Sequence, residues 1–584
     1  MEYMKKFFRL PELYVVLLLA ACLVVGLMFR ITIENVTLYQ DDARENLSLP
    51  ILKDMDDGML FQVELDVVGA HGRAYDLKVI PDDCVSKVEV DGHSVDLDSF
   101  PGHCDYTRGF VLKDSVIALY RMGGPTHFVF HMRNKGGPGG LNVFVERPPF
   151  LVRSMNVAAV ILFAFLCMLV ARRLGLGWEI ATIVLMGALL RGVFFVNIPY
   201  TMFTYDVDGH VSYVQHILQK HEIPKAEDCW SCYHPPVYYV ASAPSFLIGD
   251  WLGITGTTGM QAFSLLLSVV TLFFGLLFFK QIFSGIPFCI ASVLWTFWPV
   301  MIMAAPRIGN DQMFCLFHVL CLWGGIKYLN SGRGKYLIFA VVASALAMWS
   351  KTTAVITLGV LFLFTVAGYV GNARLLKPSR SERVAWLLFF TLVLAIMLQK
   401  LLGNGDLVAN AGGLNSKLRV GNEAFNYLYF DLRSFLEHPF TSAWNDADGR
   451  QFFWNYTLKT SLFGEFNMVH HQVGRTWATV SSVSMLGLVV YAMRGIWKSR
   501  INMVNSILVL QAVAFIAALM SLRIKYPFAC SNDFRLIMPV LLSFIPFVVS
   551  GVTLKEASVK WRALGYGLVL MFVASSTVLY ILAM

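Results

Sequence analysis

Apolar runs of helix length recur from one end of this chain to the other, and that recurrence limits the fold more than any motif does. Stretches near 10–30, 154–171, 176–198, 258–280, 284–305, 311–329, 336–350, 353–371, 384–402, 476–495, 502–521, 533–552 and 563–583 read as bilayer-crossing segments. They predict about thirteen transmembrane helices. With 56% hydrophobic and only 15% charged positions, the 584 residues cannot be a string of soluble domains. The expected class is a polytopic α-helical membrane protein.

Basic residues give the orientation. If Lys5, Lys6 and Arg9 are cytoplasmic, the same assignment puts Arg172/Arg173, Lys280, Arg333/Lys335, Arg374/Lys377/Arg380/Arg383, Arg494/Lys498/Arg500 and Lys555/Lys560/Arg562 inside. The net charge of +8 follows from this bias, so nucleic acid is not an expected partner. The first run is long and no A-x-A-like cleavage site follows it, which predicts a retained anchor over 1–30. A crossing by 234–250, HPPVYYVASAPSFLIGD, would invert every later loop. That stretch is expected to be a juxtamembrane or re-entrant helix entered through Pro235-Pro236.

Three segments then lie outside. In 31–150, period-two runs at 61–68, 86–92 and 127–133 are separated by Gly, Asp and Pro turns, and predict a β-sandwich before a helical domain over 151–584. The other two are the loops 199–257 and 403–475. Cys84 and Cys104 pair or stay as buried thiols, and Cys229-Trp-Ser-Cys232 reads as a loop disulfide or two free thiols in preference to zinc. Asn35, Asn46 and Asn455 match the glycosylation acceptor pattern.

Ionisable groups collect on that outer side. Asp206 and Asp208 follow an apolar run that carries Arg191, and Arg307 and Asp311 follow another. Lys351 sits at an outer turn, Glu465, His470 and His471 in the third loop, and Arg523, Lys525, Asp533 and Arg535 before or at the twelfth run. Charges near lipid are costly and mark working sites. A carboxylate that orients or deprotonates a hydroxyl, beside cations that neutralise a departing phosphate, suits transfer of a group from a lipid-linked phosphate.

At these residues the chain resembles the GT-C glycosyltransferases that use polyprenyl-phosphate sugars, in the branch of protein O-mannosyltransferases and the lipid A aminoarabinose transferase. The matching pieces are Asp206-Val-Asp208, HPPVYY (234–239), Asn310-Asp311, the S-K-T at 350–352 and NDFRLIMP (532–539), covering roughly 176–553. The resemblance implies a catalytic acid in the first outer loop, Asp206 or Asp208; where D-E is usual, this chain has D-V-D-G, and the choice stays open. The D-x-D pair is also a candidate Mg or Mn site. TSLFGEF (460–466) adds Glu465.

The expectation is thus an integral-membrane glycosyltransferase, hexosyl or pentosyl, moving sugar from a polyprenyl phosphate to a glycan, lipid or protein acceptor. Its site would face the periplasm or exterior of a bacterial inner membrane. Asp206, Asp208 and Asp311 are the catalytic candidates, and Arg307, Lys351, Arg523, Lys525 and Arg535 the phosphate ligands. His210, His234, Tyr238, Glu465 and His470 are the substrate contacts. The alternatives are a transporter or flippase of lipid-linked saccharide, for which internal repeats are expected, and an O-antigen ligase or polymerase.

Overall fold

The computed structural model describes residues 10–28, 30–40, 43–47, 49–69, 74–82, 84–97, 100, 102–105, 109–122, 124–135, 138–145, 150–204, 206–252, 254–371, 379–404, 416–469, 471–499 and 502–583. The chain forms two compact units, Met1–Leu166 with Thr201–Phe203, and Cys167–Tyr200 with Thr204–Met584.

The first unit opens with helix α1 (Leu10–Met28) and continues into ten strands. These are β1 (Thr32–Gln40), β2 (Ala43–Asn46), β3 (Ile51–Asp54), β4 (Leu60–Val68), β5 (Leu77–Pro81), β6 (Cys84–Val90), β7 (His93–Val95), β8 (Phe110–Leu112), β9 (Thr126–Arg133) and β10 (Pro138–Val145), with a short helix α2 (Asp114–Tyr120) after β8. They make a six-stranded sheet in the order β2-β1-β4-β9-β6-β7 and a four-stranded sheet in the order β3-β10-β5-β8, all pairs antiparallel. The period-two runs fall in β4, β6 and β9. In β4, Phe61, Val63, Leu65 and Val67 are buried while Gln62, Glu64 and Asp66 face outward, as alternation of side chains dictates. Val63 and Phe130 from one sheet and Val79 and Val143 from the other share one apolar core. Each such burial contributes about 1.5–3 kcal/mol. Cys84 and Cys104 are disulfide-bonded.

Helix α3 (Phe150–Arg173) leads from the first unit into the second, which is helical. There follow α4 (Trp178–Asn197), α5 (Val207–Lys220), α6 (Val237–Trp251), α7 (Gly256–Ile282), α8 (Gly285–Phe297), α9 (Pro299–Met303), α10 (Asp311–Ser331), α11 (Gly334–Ser350), α12 (Val355–Gly371) and α13 (Arg380–Asn404). The third loop carries α14 (Ala424–Leu428), α15 (Leu432–Glu437) and α16 (Phe453–Phe463), and the chain ends with α17 (Gln472–Lys498), α18 (Met503–Lys525), α19 (Leu541–Val552) and α20 (Val559–Ala583).

Among the described residues, eight helical stretches are long and apolar enough to cross a membrane: Phe150–Arg173, Trp178–Asn197, Gly256–Ile282, Asp311–Ser331, Gln472–Lys498, Met503–Lys525, Ala529–Val552 and Val559–Ala583. The protein is an integral membrane protein. Four further apolar helices among the described residues are shorter, Pro11–Gly26, Gly285–Phe297, Gly334–Ser350 and Thr352–Gly368, and the count of about thirteen spans is not confirmed. The run 284–305 is interrupted because Pro299 supplies no backbone N–H, and Trp298 takes extended dihedrals between α8 and α9. Residues 237–251 form a helix of 15 residues, too short to cross a bilayer upright.

Helices α10 and α11 run antiparallel around the Arg333 turn, so the start of α10 and the end of α11 lie together. At the other end, Gln281 of α7, Asn330 of α10, Ala367 of α12 and Asn505 of α18 line one cavity of about 350 Å³. The basic turns at Lys280 and Arg333 thus sit at the end of the bundle opposite Asp311.

Candidate active site

The site begins at the N-terminus of α5. Val207, Val211 and Val214 bury one face of that amphipathic helix and carry His210 inward with them. Asp206 is its N-cap residue, in the left-handed conformation at φ 48° and ψ 26°. Helix α6, entered through Pro235-Pro236, buries Tyr238 and Tyr239 completely. Tyr239 Oη meets His210 Nδ1 at 2.8 Å, its ring stacks on Tyr213 at 3.7 Å, and the His210 and His234 rings stack at 5.7 Å. Tyr238 Oη accepts from the Gly309 N–H at 3.0 Å. Gly309 is needed there: at φ 156° a side chain is strained, and a Cβ would come 3.3 Å from His210 Nε2. The HPPVYY segment thereby joins the D-V-D-G helix to the turn before Asp311.

That turn completes a chain of opposite charges. Arg535 Nη2 donates to Asp206 Oδ2 at 3.3 Å, its Nη1 lies 3.8 Å from Asp311 Oδ2, and its Nε lies 3.3 Å from Asp533 Oδ2. Lys351 Nζ bonds Asp311 Oδ1 from the other side. Trp230 Nε1 donates to Asp206 Oδ1 at 3.2 Å. Asn310 fixes the approach of the two loops by donating to the Ser350 carbonyl at 3.0 Å.

Electrostatics separates the two acids that the sequence left equivalent. Asp206 is crowded by protein although 39% of its side chain reaches the surface. That crowding raises its pKa, but the charge of Arg535, that of His210 at the low pH where it is protonated, and the hydrogen bonds from Trp230 and Arg535 outweigh it, holding the carboxyl below its ordinary range. Half-buried Asp208 has no such cation among the described residues: burial, with Asp206 nearby, pushes it up. Burial also drives His210 down to about 4, against the pull of Asp206 and Asp311, and His234 well below its usual value. Both imidazoles are neutral at pH 7. Glu465 accepts a hydrogen bond from Tyr456. Burial first, then the Asp533 charge, push Glu465 up to about 8, over the opposing effects of Tyr456 and Arg535.

Asp206, Asp311, Lys351, Arg535, His210, His234 and Tyr238 are therefore brought together. Arg307 is buried with its guanidinium 5.7 Å from the Phe466 ring, next to Glu465. Arg523 is wholly buried and its Nη2 donates to the carbonyls of Gly421 and Gln451 at 2.8 and 3.2 Å, so it braces the third loop. Lys525 lies over the Tyr526 ring at 5.1 Å. His470 falls outside the described residues, while His471 Nδ1 accepts from Gly474 N and caps α17. Asn455 is a correction to the glycosylation pattern: it is fully buried, and its amide exchanges hydrogen bonds with Asp431 at 2.7 and 2.9 Å. Sequence reading missed Trp230, Tyr239 and Tyr456 as site residues; the C-W-S-C spacing was the one signal that could have drawn attention to Trp230. Cys229 and Cys232 are bonded to each other.

Among the described residues no three His, Cys, Asp or Glu side chains are grouped to hold a metal ion, and the cation on Asp206 is a guanidinium. At the D-x-D pair the position a cation would take on Asp206 Oδ2 is met by Arg535 Nη2.

Residues 233–401 match the family model described as dolichyl-phosphate-mannose-protein mannosyltransferase. The likeness to GT-C glycosyltransferases that the motifs carry is thus matched over this segment of the chain. The matched segment runs from the start of HPPVYY through Asp311 and Lys351, half of the charge chain. No curated protein matches the chain. Among solved structures it is similar to the cryo-EM structure of the arabinosyltransferase EmbB from Mycobacterium smegmatis, at 10% identity and a TM-score of 0.31, over 95% of this chain and 65% of that one. The chain thus spans about 65% of that protein's length, and a likeness of this degree carries no argument about its chemistry.

Proposed function

We propose that this protein is a glycosyltransferase that moves a sugar from a polyprenyl-phosphate donor to an acceptor hydroxyl at the extracytoplasmic face of a bacterial inner membrane, with inversion at the anomeric carbon and Asp206 as base. The observation that carries the reading is the run Asp206, Arg535, Asp311, Lys351 at the end of the bundle opposite the basic turns. Asp206 is open to solvent, ionised at neutral pH and fixed by donors on both oxygens. It can take the proton as the acceptor oxygen bonds to the anomeric carbon. The bond from that carbon to the phosphate oxygen breaks, and the lipid phosphate leaves with the electron pair. Arg535 and Lys351 are the cations at hand for that developing charge, Arg535 with a planar fork suited to phosphate oxygens. Neutral His210 bonds Tyr239 and stacks on His234, so neither ring adds charge beside Asp206.

The acceptor is a glycan, lipid or protein hydroxyl. The test uses the purified full chain in nanodiscs with polyprenyl-phosphate mannose and polyprenyl-phosphate arabinose as donors and a panel of hydroxyl acceptors. Transfer with inverted anomeric configuration, reduced roughly a hundredfold or more in Asp206→Asn and less in Asp208→Asn, is the expected result. Undiminished transfer by Asp206→Asn would remove it as the base, and movement of intact lipid-linked saccharide with no new glycosidic bond would favour a transporter.

A further inference from the structure

The Cys229–Cys232 loop lies directly on the first turn of α5. A Cβ added to Gly209 would come 2.5 Å from Ser231 Oγ and 2.9 Å from Ser231 N, so the loop and the helix approach as closely as glycine permits. Cys229 Sγ lies 3.7 Å from the Gly209 carbonyl oxygen, and the Cys232 N–H donates to the Cys229 carbonyl at 3.1 Å. Ser231 and Cys232 are buried at 1% and 3% exposure, and between Cys229 and this buried pair Trp230 stands 45% exposed. A half-exposed indole on a short surface loop would ordinarily sample several rotamers. Here its N–H ends on Asp206 Oδ1.

Asp206 is held in the left-handed region, a conformation that a residue with a Cβ keeps when neighbours over-determine it. Arg535 reaches one oxygen and Trp230 the other. Each oxygen of a carboxylate offers two lone pairs, so one on each remains for a substrate proton. The disulfide closes the loop on either side of Trp230, and the indole N–H donates to Asp206 Oδ1.

We propose that Trp230, clamped by the Cys229–Cys232 disulfide, is a positioning residue that orients the Asp206 carboxylate for proton abstraction. The inference rests on Asp206 being the base, and it adds a role for the C-W-S-C motif. Trp230 acts through the Asp206 carboxylate. Its N–H fixes which carboxylate lone pair faces the acceptor, and the disulfide keeps that N–H in reach.

The contact and the role are tested on the full chain in nanodiscs. With fluorotryptophan incorporated, the Trp230 fluorine signal is identified by its loss in Trp230→Phe. It should shift in Asp206→Ala and in the Cys229→Ser/Cys232→Ser double variant while the other tryptophan signals stay in place. A Trp230 signal unmoved by Asp206→Ala overturns the proposal whether or not any donor turns over. In transfer from polyprenyl-phosphate mannose, Trp230→Phe should lower kcat about ten- to a hundredfold, the range for losing a hydrogen bond to a charged group, with the donor KM unchanged. Trp230→His, which returns a ring N–H, should recover part of kcat. Loss confined to KM, or no difference between the Phe and His variants, overturns it. If the wild-type chain transfers nothing while the signal shifts as expected, the functional reading fails and the contact stands.

Discussion

Arg535 donates from Nη2 to Oδ2 of Asp206 at 3.3 Å across 329 positions of sequence. The guanidinium comes from the short 3₁₀ segment Phe534–Val540 that precedes α19, and the carboxylate from the turn that precedes α5. Because Asp533 accepts from the Arg535 backbone N–H at 3.0 Å and pairs with its Nε, the guanidinium is aimed before any substrate arrives. One cation thereby reaches three carboxylates, of which only Asp206 is substantially exposed.

Removing that cation should change the pH profile in a defined direction. Asp206 lies below its ordinary pKa in part because of the Arg535 charge, so as a base it is competent above a low pKa and is lost as pH falls through it. In Arg535→Gln the Asp206 pKa rises, and the acid limb of kcat/KM moves to higher pH. Turnover at neutral pH should also fall by about a hundred- to a thousandfold, the scale for deleting one group that stabilises transition-state charge. An acid limb that stays in place would show that Asp206 is not the group titrating.

The Lys351–Asp311 pair should behave as a buried ion pair, since their side chains are only 9% and 13% exposed. Lys351→Ala leaves a carboxylate with Arg535 as its remaining charge partner, 3.8 Å away, and should cost up to about 3–5 kcal/mol of stability. The double variant Lys351→Ala/Asp311→Asn should regain most of that loss in thermal unfolding and none of the transfer activity. Recovery of both would make the pair structural alone.

The side of the membrane is predicted from the ends of the helices. A single cysteine at Glu437, exposed in α15 of the third loop, should react with an impermeant maleimide in intact cells once the free cysteines are replaced. One at Arg333, at the far end of α10, should react only after permeabilisation. The reversed pattern would put the charge chain in the cytoplasm.

Asp206, Asp311, Lys351 and Arg535 were legible in the sequence because helix-length apolar runs and basic turns sort residues by membrane side, and these four fall on one side. What alternation of sides cannot supply is which charges touch. Arg523 and Arg535 looked equivalent, twelve positions apart, yet one braces carbonyls of Gly421 and Gln451 and the other meets three acids. Asn455 satisfied a three-residue pattern that says nothing of burial. Trp230 was hidden because its partner lies 24 positions earlier, on the far side of α5, and only the folded loop aims its N–H. In 31–150 the period of two was strong enough to locate β4, β6 and β9, since one face of each is buried, whereas the four-residue strands β2 and β3 have too few residues to show a period.

Glu465 should make the protein less stable as pH rises through a specific window. Its carboxyl is raised to about 8 by burial and by Asp533, whereas an unfolded glutamate titrates at about 4.3. Between those values the unfolded chain has released the proton and the folded chain still holds it, so the folded state binds more protons and stability falls with increasing pH. The cost is absent near pH 4, where both states are protonated, and levels off above pH 8, where both are ionised. Glu465→Gln keeps an oxygen that accepts from Tyr456 Oη and has no proton to lose. The variant should therefore match the wild-type melting temperature near pH 4 and exceed it by several degrees at pH 8. Thermal unfolding of both proteins in nanodiscs across that range checks it, and curves that remain parallel from pH 4 to pH 8 would mean that Glu465 is ionised throughout.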